Sequence, residues 1–401
     1  MPLGKPLSIS LSPNVEQDDV FLALKLLFQP WKWKHGKAAQ NFEQNFARYL
    51  GVKYAFSFNS GRSALFAILK ALDLPQGSNV GLQAFTCNAV PNPILWAGLN
   101  PVYVDCGDDF NAQPEQFTEK VIIVQHTFGL SAQVDTVPQG VTVIEDCAHA
   151  LGADLPTGKV GTFGKAAFFS FSRDKVISSV YGGMAVTNDD AIGKKLEQLQ
   201  KEFGMPSNFW TRQQIMHPIL LHFVILPLYN FINLGKLFLI GSQWLHVLSK
   251  AVSWQEKRGV RPEYFPKALP NALAIMAQHQ FEKLEEFNSH RKKIAEFYFE
   301  ELTGTQFILP AREGIFLRFP IQHPKAHEIL YEAWHTENML LGDWYRQAID
   351  PHDTKLEEMK YKPGMCPNAE YLAKRTLNLP THINISMKDA ERIVHFLKKF
   401  A

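Results

Sequence analysis

Seven short runs of β-branched and aromatic residues alternate with helix-like stretches between Gln40 and Asn188, and few folds accommodate that alternation. The runs are residues 54–57, 79–82, 101–104, 121–124, 141–144, 166–170 and 184–187. Apolar runs this short, with no polar face of their own, suit parallel strands covered on both sides by helices. A helix is expected over 62–72, directly after the first run. Leu273, Met276, Phe281, Leu284, Phe287, Ile294 and Phe297 recur at nearly helical spacing and predict a helical stretch over 272–302. From Phe307 the pattern becomes strand, helix, loop, helix, ending over 389–400. The expectation is an α/β protein with a mostly parallel seven-stranded sheet in a large domain, residues 1–290, and a smaller C-terminal α+β domain, residues 291–401. No internal repeat breaks this reading.

A chain of 401 residues exceeds what one core usually serves, which supports two domains. Lys+Arg 41 against Asp+Glu 39 leaves a formal net charge of +2, with no basic tail, so nucleic acid is not an expected partner. Cys87, Cys106, Cys147 and Cys366 are scattered and form no CxxC pair. That usage fits a reducing compartment and no structural metal. Residues 1–14 lack a basic region followed by an apolar run, so no secretory signal is read and a cytoplasmic location is expected.

One segment departs from a soluble α/β pattern. An apolar insertion over about 205–262 carries, between Pro218 and Ser249, a single charged residue, Lys236. A spanning helix needs roughly 20 mostly apolar residues, and Pro227, Asn230, Asn233 and Lys236 interrupt any such window, so two short apolar helices are expected instead. Residues 216–250 could be buried in a homodimer or core, rest on a membrane surface through flanking cations, or cover the substrate.

The chemistry concentrates around four short motifs. Asn59-Ser60-Gly61-Arg62-Ser63 stands between a strand end and a helix start, where unpaired N–H groups and the helix dipole attract a phosphate. Asp146 follows an apolar strand at the carboxyl edge of the sheet, the place open α/β sheets put ligands; helix capping is the competing reading. His149 lies three residues on and could serve the same site or be structural. Ser170 ends a strand and could meet the phosphate or bond locally. Lys175 follows Phe168, Phe169 and Phe171 and precedes Gly182-Gly183, a setting that predicts burial, and a desolvated amine is a usable nucleophile and base. One Lys and one Asp at strand ends match the needs of pyridoxal phosphate: an amine to hold its aldehyde, and a carboxylate to keep its ring nitrogen protonated.

Taken together these motifs resemble the DegT/StrS sugar aminotransferases, pyridoxal phosphate enzymes of fold type I. The likeness also includes Gly36 with Phe42-Glu43, Phe85-Thr86-Cys87, Gly98 to Asp105, Glu145-Asp146-Cys147-Ala148-His149 and Leu379-Pro380-Thr381-His382. The resemblance implies Lys175 as the residue joined to the coenzyme, Asp146 at its ring nitrogen and His149 at its phenolic oxygen. Gly61, Arg62, Ser63 and Ser170 would hold phosphate. It further implies an amino-acid donor, by analogy glutamate, a keto-sugar acceptor, and a homodimer with the active site at the interface. Three positions depart from the pattern. Cys87 stands where relatives often stack an aromatic residue on the coenzyme, which Phe85 could replace. Tyr181 stands where a Glu commonly precedes the paired glycines. Residues 264–271 replace a segment that usually reaches the partner subunit with an Asn and an Arg. A dehydratase or lyase on the same fold, or a non-catalytic sensor or scaffold, are the other readings; Lys175 argues against the dehydratases, which lack that Lys.

Overall fold

The computed structural model describes residues 5–401, so the first four residues of the segment read for a secretory signal lie outside it. All seven expected strands form: β1 (Tyr54–Phe58), β2 (Asn79–Gln83), β3 (Asn100–Val104), β4 (Val121–Gln125), β5 (Thr142–Asp146), β6 (Ala166–Ser170) and β7 (Gly183–Thr187). They make one sheet in the order β1-β7-β6-β5-β4-β2-β3. β3, β2, β4, β5 and β6 are mutually parallel, and β7 runs antiparallel to both β6 and β1. The interior strand β4 is buried at every residue, as expected for a strand covered on both faces.

Helix α1 (Gly61–Ala71) follows β1 and is buried along nearly its whole length beneath the sheet. β7 can lie against its start only because position 183 is glycine: a Cβ there would sit 2.4 Å from the Ser60 carbonyl carbon. The apolar insertion folds as two short helices, as expected: α2 (Asn208–Leu220), continued by one wide turn over Leu221–Ile225, and α3 (Leu234–Trp244). No helix among the described residues is long and apolar enough to cross a membrane.

The helical stretch expected over 272–302 divides into α4 (Asn271–Phe281) and α5 (Leu284–Leu302). At the break, Lys283 is held by three carboxylates of the N-terminal helix, Glu16 at 3.1 Å, Asp18 at 2.7 Å and Asp19 at 3.4 Å. Beyond α5, strands β8 (Phe319–Gln322) and β9 (Thr376–Leu379) pair antiparallel, with helices Ala326–Glu337, Pro367–Arg375 and Met387–Leu397 around them.

Two short pairings tie the C-terminal part to the rest. Ile349–Asp350 runs parallel to Thr86–Cys87, and Leu7–Ser8 near the N-terminus runs parallel to Met339–Leu340. His382 also hydrogen-bonds the Ser8 carbonyl at 2.9 Å.

Candidate active site

A recess opens at the carboxyl ends of β4, β5 and β6, lined by Gln125, Asp146 and Ser170 from those strand ends. Gly61, Arg62, Cys87, His149 and Lys175 line it too, so seven of the eight candidate residues converge there. Ser63 does not reach the recess. Its Oγ donates to Asn59 Oδ1 at 2.7 Å, and its N–H donates to the N-cap hydroxyl of Ser60 at 3.0 Å.

That cap leaves the amides of Gly61 and Arg62, the first two helical positions, without an intrahelical acceptor. They front the recess beside Ser170, whose Oγ lies 3.3 Å from where a Gly61 Cβ would stand. Peptide N–H groups, the positive end of α1 and a hydroxyl make a cradle suited to an anion. The Arg62 side chain points elsewhere. Its guanidinium pairs with the buried Glu256 carboxylate, donates to the Ala251 carbonyl at 3.1 Å and lies 4.8 Å from the centre of the Phe265 ring. Arg62 therefore offers an anion its amide, while its charge is spent inside the wall.

Asp146 closes β5 and accepts the Ala148 N–H at 3.0 Å. Burial pushes its carboxyl up to about 6, against the opposing pull of the Ala148 amide, Lys175 and His126. Next to it, Glu145 points the other way and accepts the N–H groups of Gly161, Phe163 and Gly164 at 2.7–2.8 Å, with His126 at 3.4 Å. Of this acidic pair, Glu145 thus fixes the following loop and Asp146 is left for chemistry. His126, Glu145 and Cys147 lie close together, but these bonds already engage the carboxylate, and His126 Nδ1 accepts the Ala132 N–H.

His149 Nδ1 accepts the Phe128 N–H at 3.1 Å. Burial, followed by the nearby charges of Lys175 and Arg318, holds the imidazole pKa well below its usual 6.5. The ring is therefore neutral, and with Nδ1 accepting, Nε2 carries the proton and is a donor.

Lys175 sits on a loop tied down by Asn14, whose side-chain amide donates to the carbonyls of Lys175 at 2.5 Å and Val176 at 3.1 Å. Arg291 from α5 donates in turn to Asn14 Oδ1 at 2.9 Å. Burial lowers the Lys175 amine to about 8, although Cys87 and Asp146 favour its charged form. Nζ lies 5.0 Å from the centre of the Trp344 ring.

Trp344 and Tyr345 complete the lining from the C-terminal part, and sequence reasoning did not find them. Phe85, the expected replacement for a stacking aromatic, is instead fully buried against Phe110 and Tyr345. Arg318 was missed as well: it is buried, lies 3.4 Å from the Trp344 ring centre and reaches Asp174 at 3.9 Å.

The other two departures have local explanations. Tyr181 is buried between Arg62 and Arg173, and its hydroxyl donates to the carbonyls of Lys250 and Ala251. It thereby anchors the end of the apolar insertion, where Ala251 and Val252 form part of the recess wall. Residues 264–271 fold back on their own chain: Asn59 donates to the Tyr264 carbonyl at 2.7 Å and receives the Lys267 N–H at 3.2 Å.

A half-buried amine, a buried acid at a strand end and an anion cradle around one recess are the groups that pyridoxal phosphate requires, on a fold-type-I scaffold. The chain belongs to the DegT/DnrJ/EryC1/StrS aminotransferase family, whose pattern it matches over residues 15–220 and 258–398. That family comprises pyridoxal phosphate-dependent sugar aminotransferases. The chain is 33% identical over 401 residues to a GDP-perosamine synthase of Vibrio cholerae, covering 92% of each chain. It is 26% identical over 400 residues to a UDP-N-acetyl-3-dehydro-alpha-D-glucosamine 3-aminotransferase of Acidithiobacillus ferrooxidans, covering 96% of this chain and 94% of that one. Its fold matches that of PseC of Helicobacter pylori, an aminotransferase involved in the biosynthesis of pseudaminic acid. The TM-score is 0.74 at 21% identity, over 98% of this chain and 99% of that one.

Proposed function

We propose that this protein moves an amino group from an amino acid, glutamate by analogy with the family, to a keto-sugar carried on a nucleotide, in the synthesis of envelope polysaccharide or another glycoconjugate. The observation that carries the reading is the meeting of Lys175, Asp146 and the start of α1 around one recess. The relatives above, named for nucleotide-sugar substrates, support the acceptor class.

Pyridoxal phosphate supplies an aldehyde for covalent attachment and a ring that withdraws electrons from the substrate carbon. Lys175 holds that aldehyde at rest. Once free, the neutral Lys175 amine would take the proton from the donor's α-carbon and deliver it to the coenzyme's former aldehyde carbon. Asp146 secures the proton on the ring nitrogen, and pairing with that cation offsets the cost of burying its carboxylate. His149 would donate its Nε2–H to the phenolic oxygen. The amides of Gly61 and Arg62 and the Ser170 hydroxyl hold the phosphate, with Ser63 acting indirectly through the Ser60 cap. Cys87 and Trp344 line the recess and would exclude water from the ring. Over both halves of the reaction one water supplies the carbonyl oxygen of the donor's keto acid and the sugar's carbonyl oxygen leaves as another, so water is neither made nor used overall.

In this reading residues 1–290 bind the coenzyme and residues 291–401 close over it, in a cytoplasmic homodimer. Purified protein supplied with pyridoxal phosphate should absorb in the visible, lose that band on addition of glutamate and recover it with the correct nucleotide keto-sugar from a panel. Lys175→Ala should lose both the band and turnover. Transamination retained by that variant would sink the assignment.

A further inference from the structure

We propose that the exposed face of residues 223–245 is a docking surface for an anionic phospholipid bilayer. Helix α3 is inverted relative to a helix of a globular protein. Its buried residues are the small Gly235 and Ser242, and a Cβ at Gly235 would lie 2.3 Å from the Ile225 carbonyl oxygen, so the helix presses its small side inward. Leu234, Leu237, Phe238, Ile240, Trp244 and Leu245 form an outward stripe at helical spacing. Leu237 is 62% exposed, Trp244 78% and Leu245 65%, which is far from how such side chains are normally housed.

Charge selects the occupant. From Phe203 to Gln255 there is no Asp or Glu, and the ionised residues are Arg212, Lys236 and Lys250. A second copy of this chain meeting the same face across a two-fold axis would set these cations against their own kind. Anionic headgroups would neutralise them while the apolar stripe enters the acyl boundary. Trp244 and Trp254 are exposed aromatic residues of the type favoured at that depth. With 11 residues, α3 is about 16 Å long, too short to span and suited to lying flat.

The family pattern stops at residue 220 and resumes at 258, so this face lies outside the matched part of the chain. It is tied to the reaction centre. Five residues separate Leu245 from Ala251 on the recess wall, and Arg62, Arg173 and Tyr181 clamp the backbone there at Ala251, Ser249 and Lys250. Docking therefore holds the recess rim close to the lipid surface.

The test is flotation of the full-length, coenzyme-loaded protein with phosphatidylcholine vesicles, with and without phosphatidylglycerol. Recovery with phosphatidylglycerol should exceed recovery without it by about tenfold or more at low salt. Leu237→Glu/Ile240→Glu should abolish recovery with the coenzyme band and the sedimentation mass unchanged; Trp244→Ser/Leu245→Ser serves if the first variant does not fold. Absent recovery, or equal recovery with both vesicle types, overturns the proposal. So does a folded variant that loses mass on sedimentation while still floating like the parent.

Discussion

The imidazole of His149 and the indole of Trp344 lie face to face, 5.3 Å between ring centres and 11° from parallel. On the indole's flank stands the Lys175 amine, and the Arg318 guanidinium covers the same ring. A side chain from the C-terminal part thus keeps water from both the amine and the imidazole.

Trp344→Ala should return water to Lys175. Burial is what lowers that amine to about 8, so its pKa should climb toward its ordinary 10.5. In the wild type the glutamate half-reaction should speed up with pH and level off above about 8, as the amine loses its proton. In the variant the inflection should move up by roughly 1 unit. Stopped-flow loss of the coenzyme band between pH 6.5 and 10 measures both inflections, and identical profiles would show that the indole does not control the amine.

Asp146 makes the coenzyme's stabilising effect depend on pH. Its folded pKa of about 6 lies above the ordinary 3.8, so stability present below 3.8 is lost from the coenzyme-free protein as pH rises through about 6. The loss is on the order of 2–3 kcal/mol. A cationic ring nitrogen restores it. The gap in Tm between coenzyme-loaded and coenzyme-free protein should widen from pH 5 to pH 7, and Asp146→Asn should flatten the trend while lowering turnover by about 10²–10⁴.

Arg62 and Glu256 should behave as a buried pair. Both are almost wholly shielded from water, so Glu256→Ala, which strands the guanidinium, should cost about 3–5 kcal/mol. Arg62→Leu/Glu256→Leu should recover much of that loss in denaturant melts. If the two single changes simply add, the pair does not act as a unit.

Gly183→Ala should weaken coenzyme binding more than overall stability. The new methyl group would meet the backbone of Ser60 and Gly61 at 2.4–2.5 Å, and backbone cannot swing aside like a side chain. The start of α1 must shift, spoiling the phosphate cradle. A coenzyme titration followed by absorbance should show at least about a tenfold rise in Kd.

The sheet could be read in advance because each strand is a local apolar run and parallel sheets bury both faces. Asp146, Ser170 and the Gly61 turn were legible because strand ends and helix starts are local features too. Trp344 and Arg318 were not. Trp344 reaches the recess, and Arg318 the Trp344 ring and Asp174, from more than a hundred residues beyond Lys175, and nothing nearby in sequence distinguishes them from core residues. Arg62 was half legible: its place at a helix start marks its amide, while the distant Glu256 decides where its charge goes. The break at Lys283 was hidden for the same reason, since the apolar spacing continues through it while carboxylates from the N-terminal helix capture the side chain.

Asn14 joins the loop of Lys175 to Arg291, and a few residues before it Ser8 meets His382. Arg291 and His382 leave the ribosome long after Lys175 itself. The reactive amine can therefore be fully seated only on a completed polypeptide, and a prematurely terminated product would carry the nucleophile without the bracing that makes it one.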